Sequence, residues 1–226
     1  MNMTDYIIKE NINNLNSKQR FSTDPFLSKL INILVNNKEG SNIHEYVRDM
    51  FYFKSIEEYQ RYLPHVLIAY EESYELVMKI YNLFMEWNVF DKYNLGELRG
   101  NYLEMLLFEY IKENHYDANV YREVNVLIGD YKSHVWDVVL ESEDYISLFE
   151  SKFSSKVLKR HHINQMIGLF NKLPESEIYL VAYENKEVLT DSLDELQEET
   201  SKTKYDNIIK NFNLISIENF NQHDLP

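Results

Sequence analysis

The sequence predicts an α/β protein, with an all-helical region over residues 1–93 followed by a domain over 94–226 whose elements run helix, three strands, helix, strand. Three observations lead there. Five Gly and four Pro in 226 residues are too few for a loop-rich all-β fold and favour long helices. A hydrophobic share of 44%, with 14% aromatic residues, supplies a buried core. Near residue 94 the apolar pattern changes from helical spacing to short runs separated by turn residues.

The elements follow in order. Residues 26–35 form an apolar helix announced by Asp24-Pro25. Over 64–90, Val66, Ile68, Tyr70, Tyr74, Leu76, Val77, Ile80, Leu83, Phe84 and Trp87 recur at helical spacing. Strictly alternating β-branched runs are absent from this region, so it reads as helical throughout. Residues 95–113 form an amphipathic helix with Leu98, Tyr102, Leu103, Leu106, Leu107, Tyr110 and Ile111 on its apolar side. Strands are predicted at 119–128, 134–140 and 145–153, with turns at Gly129-Asp130 and at 141–144. A helix over 156–173, stopped by Pro174, leads to a strand at 177–183. An acidic helix near 192–199 and an apolar run at 213–217 complete the chain.

Composition excludes several classes of function. With no Cys there are no disulfides, thiolate zinc sites or cysteine nucleophiles. A net charge of −14 argues against a generic polyanion binder, so nucleic-acid contact needs a local basic surface or a metal ion. No apolar run is long enough to span a membrane, and the first residues lack a secretory pattern; the expected location is the cytoplasm.

Two strands carry residues suited to chemistry. In His134–Leu140, Asp137 shares a face with Val135 and Val139 if the strand alternates regularly, so a charge interrupts an apolar face. In the next strand Glu150 and Lys152 share a face with Ile146 and Leu148. A short turn makes the two strands an antiparallel hairpin, which would bring Asp137, Glu150 and Lys152 together. Two carboxylates supply hard oxygen ligands for an ion of the Mg²⁺ type, and an ammonium beside it can orient water and offset charge on phosphorus.

Residues 95–183 resemble the PD-(D/E)xK nuclease superfamily, whose restriction-endonuclease-like αβββαβ core carries an Asp on its second strand and Glu/Asp-x-Lys on its third. Asp137 and Glu150-Ser151-Lys152 match those positions. Trp136 stands where the motif has Pro, and Ser151 where many members have an apolar residue. The tripeptide alone is weak, since Asp130-Tyr131-Lys132 and Glu184-Asn185-Lys186 also fit it. The setting singles out Glu150: an apolar strand, just after a strand bearing an Asp, between two amphipathic helices.

The resemblance implies Mg²⁺ or Mn²⁺ held by Asp137, Glu150 and the Ser151 carbonyl, with Glu104 of the first helix as a further ligand and Glu97 as its rival. It implies that Lys152 positions the water and that Gln165, on the second helix, contributes to catalysis. The acid-free window that holds Lys156, Lys159 and Arg160 would bind backbone phosphates at the start of that helix. His161 and His162 are adjacent on a helix and cannot both face one ion. The expected activity is metal-dependent endonuclease cleavage, in DNA before RNA, with restriction or phage defence as its setting. A silent nuclease-like protein-binding module and an RNA-cleaving effector are the alternatives. A homodimer and a protein partner for the helical region are the assemblies this class suggests.

Overall fold

The computed structural model describes residues 5–37, 42–198, 212–222 and 224–226. The described residues form a mixed α/β fold around one six-stranded sheet, with strands β1 (Ile7–Glu10), β2 (Asn119–Ile128), β3 (Tyr131–Glu141), β4 (Ile146–Lys152), β5 (Glu177–Ala182) and β6 (Phe212–Ile215) side by side in that order. The β1 to β4 neighbours are antiparallel, while β4/β5 and β5/β6 are parallel. Parallel neighbours require crossover connections, and helices α8 (Arg160–Phe170) and α9 (Lys186–Glu198) provide them.

The predicted all-helical character of residues 1–93 needs correction, because β1 joins the sheet through Ile7↔Leu127 and Glu10↔Val124. Four residues with the sequence Ile-Ile-Lys-Glu are too few to show alternation, and their pairing with β2 is supplied from more than a hundred residues away. Helices α1 (Ile12–Ser22), α2 (Pro25–Val35), α3 (Ile43–Tyr52), α4 (Ile56–Ala69), α5 (Tyr74–Glu86) and α6 (Val89–Lys92) follow. The Asp24-Pro25 start signal is used as predicted: the Asp24 carboxylate accepts the Leu27 N–H at 3.0 Å and Pro25 opens α2. The helical pattern over 64–90 divides at Tyr70, where the backbone leaves helical geometry and a short 3₁₀ turn, Glu71–Ser73, intervenes.

Helix α7 (Leu95–Asn114) is capped by Asn94, whose side chain accepts the Gly96 and Glu97 N–H groups. All seven residues of its predicted apolar side are buried. They pack with α2, α3 and α5 and with Val138, Leu140, Phe149 and Val181 of the sheet, so the N-terminal helices and one sheet face share a core. The opposite face packs Trp136, Val139, Leu148 and Leu180 under Ile163, Met166 and Leu169 of α8 and Leu189 of α9. The sheet thus lies between two helical layers. Gly129, at φ +55°, makes the two-residue turn between β2 and β3. The helix predicted from 156 begins only at Arg160, after a 3₁₀ turn at Ser155–Val157. Helix α10 (Ile217–Gln222) closes the chain. The predicted acidic helix at 192–199 falls within α9, except residue 199, which lies outside the described residues.

Candidate active site

The site forms where β3 and β4 part. Their pairing runs from Glu141↔Ile146 to Val138↔Phe149, while β4 continues beside β5 as far as Lys152↔Ala182. Past Val138, the Ser151 N–H donates to a side chain, Asp137 Oδ2, at 2.7 Å, and Ser151 Oγ donates to the same oxygen at 2.9 Å. Asp137, Glu150 and Ser151 are all buried. An anionic acceptor here satisfies a backbone donor that the parting strands would otherwise leave unpaired.

Strand β2 adds a carboxylate that the sequence reading missed. Arg122↔Val138 and Val124↔Trp136 place Glu123 level with Asp137. Glu123 is 1% exposed and sits at φ +52°, a left-handed geometry that costs a non-glycine residue roughly 1–2 kcal/mol. The side-chain pattern switches faces at this level. Tyr121 and Val139 on one side of the switch, and Val124 and Trp136 on the other, all pack in the α8-side core. At the switch itself, Glu123 and Asp137 turn to α7, and their carboxylate oxygens lie within 4.8 Å of one another and of Glu104's. The expectation that Asp137 shares a face with Val139 is therefore wrong: regular alternation fails at this one level.

Beside this group, Lys152 Nζ is 2.6 Å from Glu150 Oε1 and 3.0 Å from the Ser151 carbonyl oxygen, and His134 Nε2 is 3.2 Å from Glu150 Oε2. A second lysine arrives from α1. Lys18 Nζ is 2.6 Å from Glu104 Oε2 and 2.6 Å from Glu123 Oε1. Of the two candidate helix carboxylates, Glu104 is the one in the group, whereas Glu97 is exposed and pairs with Arg20.

Three ionised carboxylates within 4.8 Å of one another would repel by at least roughly 3 kcal/mol per pair at an effective dielectric of about 20, so they need a counter-charge or protons. Burial pushes the Glu104 carboxyl up to about 8, Asp137 and Glu123 add to the shift, and Lys18 opposes it. Burial also raises Asp137, to about 6, with the Glu150 charge adding and Lys152 and Lys18 offsetting. Glu150 goes the other way, to about 2: burial alone would raise it, but His134 and Lys152 outweigh that. Burial likewise disfavours the charge on Lys18 and Lys152, yet the surrounding carboxylates hold both above the ordinary lysine value.

A pH dependence follows. Between roughly 4.5 and 8 the folded chain holds a proton on Glu104 that the unfolded chain has lost, so stability falls as pH rises through about 8. In EDTA the protein is expected to melt higher near pH 7 than near pH 8.5, with Glu104→Gln removing most of the difference. Equal wild-type melting temperatures would contradict the burial argument.

The remaining sequence candidates lie on the segment that follows β4. Lys156 lies in the 3₁₀ turn after β4, Lys159 caps α8 and Arg160 opens it, all three exposed. Burial, followed by the charges of Lys152 and His161, lowers the pKa of His162. His162 Nδ1 accepts the Lys159 N–H at 3.0 Å, a capping contact. Gln165 is exposed on α8, outside the hydrogen-bonded group. Glu184, the tripeptide acid set aside in the sequence, accepts from Ser154 Oγ, Ser155 N and Ser155 Oγ and fixes the turn that carries Lys156. Glu123 left a signal that was not used, a charge in the middle of a strand; Lys18 and His134 left none.

The residues whose oxygens lie close enough to share one ion are Glu104, Glu123 and Asp137, while the Glu150 oxygens are taken by Lys152 and His134; the close group is all carboxylate oxygen. That set suits a hard cation such as Mg²⁺ or Mn²⁺ rather than zinc.

No protein-family model and no curated protein matches the sequence. Among solved structures the chain is similar to protein VC1899 from Vibrio cholerae, at 10% identity and a TM-score of 0.49, over 96% of this chain and 56% of that one. It is also similar to Can2 from Sulfobacillus thermosulfidooxidans, solved in complex with cyclic tetra-adenylate, at 8% identity and a TM-score of 0.41, over 64% of this chain and 43% of that one. The chain thus spans little more than half the length of the Vibrio protein and less than half that of Can2. Neither likeness assigns a family or an activity to it. Among the described residues, no helix is long and apolar enough to cross a membrane.

Proposed function

We propose that the chain is a metal-dependent nuclease of PD-(D/E)xK type that hydrolyses phosphodiester bonds in DNA. In this reading α7, β2, β3, β4, α8 and β5 form the restriction-endonuclease-like core. Residues 94–226 carry most of the chemistry and 1–93 serve as an accessory region. The supporting observation is the juxtaposition of Asp137 with Glu150-Ser151-Lys152 at the parting of β3 and β4, beside the helix carboxylate Glu104.

Asp137, Glu150 and the Ser151 carbonyl would hold Mg²⁺ or Mn²⁺, with Glu104 reaching it directly or through water. Bound there, the ion supplies Lewis-acid stabilisation of the phosphoryl oxygens and a more acidic water. Lys152, between Glu150 and the Ser151 carbonyl, would orient the water and offset negative charge on the phosphate. Lys156, Lys159 and Arg160, with the α8 amides, bind flanking phosphates, which gives position without sequence readout. Restriction or phage defence is the setting this class suggests.

The test is cleavage of supercoiled DNA, single-stranded DNA and single-stranded RNA with Mg²⁺ or Mn²⁺. Glu150→Ala and Lys152→Ala are each expected to lower the rate by about a hundredfold or more, with the circular-dichroism spectrum unchanged. A wild type that cuts none of the three substrates and binds no metal overturns the proposal. Cleavage confined to RNA would make it an RNA-cleaving effector instead.

A further inference from the structure

We propose that Lys18 takes one cation place within the carboxylate group, so that the site accepts one divalent ion rather than two. The inference rests on the metal-dependent reading above and concerns a residue outside the motif.

Its basis is geometric. The Lys18 ammonium bridges two carboxylates from different elements, Glu104 of α7 and Glu123 of β2, at 2.6 Å to each. It stands between them as a bridging cation would. Its helix is fixed to the same spot. Asn14, one turn earlier on α1, donates Nδ2 to the other Glu123 oxygen at 3.0 Å. The Asn11 N–H donates to the Glu123 carbonyl at 2.7 Å, and Asn11 Nδ2 donates to Asn125 Oδ1 at 3.2 Å. The Asn11 side chain also caps α1 by accepting the Asn14 N–H. Lys18 is thus delivered by an anchored helix, with 22% of its side chain exposed.

The charge balance points the same way. With a metal ion bound and its protons displaced, Glu104, Glu123, Asp137 and Glu150 would be four carboxylates against the two ammonium groups of Lys18 and Lys152. The difference is two negative charges, which one divalent ion neutralises. Lys18 contacts the Glu104/Glu123 side, whereas Asp137 is held by Ser151 beside the Glu150–Lys152 pair. The Glu104/Glu123 side of the group is thus occupied by the protein's own cation, whereas Asp137 takes its hydrogen bonds from the Ser151 N–H and hydroxyl. Without Lys18 the excess would be three charges, and the Glu104/Glu123 side would be open to a second ion.

The experiment counts Mn²⁺ bound per chain, from the electron paramagnetic resonance signal of the free ion during titration. It compares wild type, Lys18→Met, and the double variant Lys18→Met with Glu123→Gln, which restores the charge balance. The expected counts are one, two and one, with circular dichroism reporting the fold. Two ions in the wild type would overturn the proposal, because Lys18 would then be displaced. So would a Lys18→Met count equal to that of the wild type. If Lys18→Met does not fold, the wild-type count decides. A wild-type count of zero sinks the metal-dependent reading, while the rise of one on removing Lys18 tests the present inference by itself.

Discussion

Asp137→Asn is expected to lower metal-dependent cleavage by about a thousandfold, or about 4 kcal/mol in the barrier, without loosening the fold. The amide keeps an oxygen to accept the Ser151 N–H and hydroxyl, so the parting of β3 and β4 retains its bridge. The charge is lost and the second oxygen becomes an NH2 donor. Because Asp137 is buried at a cost, raised to about 6 by burial and by Glu150, the neutral variant in EDTA is expected to melt at or above the wild-type temperature near pH 8. Paired nicking rates and thermal melts check both halves. A variant that cuts within threefold of wild type would remove Asp137 from the reaction.

Phe51→Ala is expected to destabilise the protein by about 3–5 kcal/mol and to do so throughout the chain. Phe51, 1% exposed on α3, has ring centroids 4.9 Å from Tyr102 of α7, 5.4 Å from Phe84 of α5 and 5.7 Å from Phe153, the residue after Lys152. It therefore joins the N-terminal helices to the end of the strand that carries the site. Urea unfolding followed by circular dichroism and by tryptophan fluorescence tests this, since Trp87 follows α5 and Trp136 lies in β3. The transitions should coincide and shift together. A variant in which only one probe shifts would mean that 1–93 and 94–226 unfold as separate units.

Much of the core was legible in the sequence because its signals are local. The α7 stripe has regular spacing and is buried residue by residue. A charge within an apolar strand marked Asp137, and a strand-end acid-x-Lys marked Glu150 and Lys152. What escaped depends on long-range geometry. The left-handed backbone at Glu123 reverses which residues of β2 and β3 face α7, and a glutamate gives no local sign of it, as a glycine would. Lys18 meets partners 86 and 105 positions away, from a helix of low apolar content. The break at Tyr70 has neither Gly nor Pro to mark it. In each case tertiary packing overrides a pattern that is regular over a short window.

The order in which these pieces leave the ribosome is the reverse of the order in which they join. Strand β1 and α1 precede the meander in the chain, and their docking partner Glu123 appears about a hundred residues later. The β2–β3–β4 meander, joined by short turns, closes its contacts locally and at low entropic cost, whereas docking β1 and α1 closes a much longer loop. Lys18 therefore reaches its carboxylates after the meander has brought Asp137 and Glu123 level. A nascent chain is expected to pass through an interval in which the acidic residues are gathered before the neutralising ammonium arrives. In that interval the half-made sheet also shows a bare β2 edge, so the slow arrival of the first strand is the point at which assembly is most open to wrong pairing with another chain.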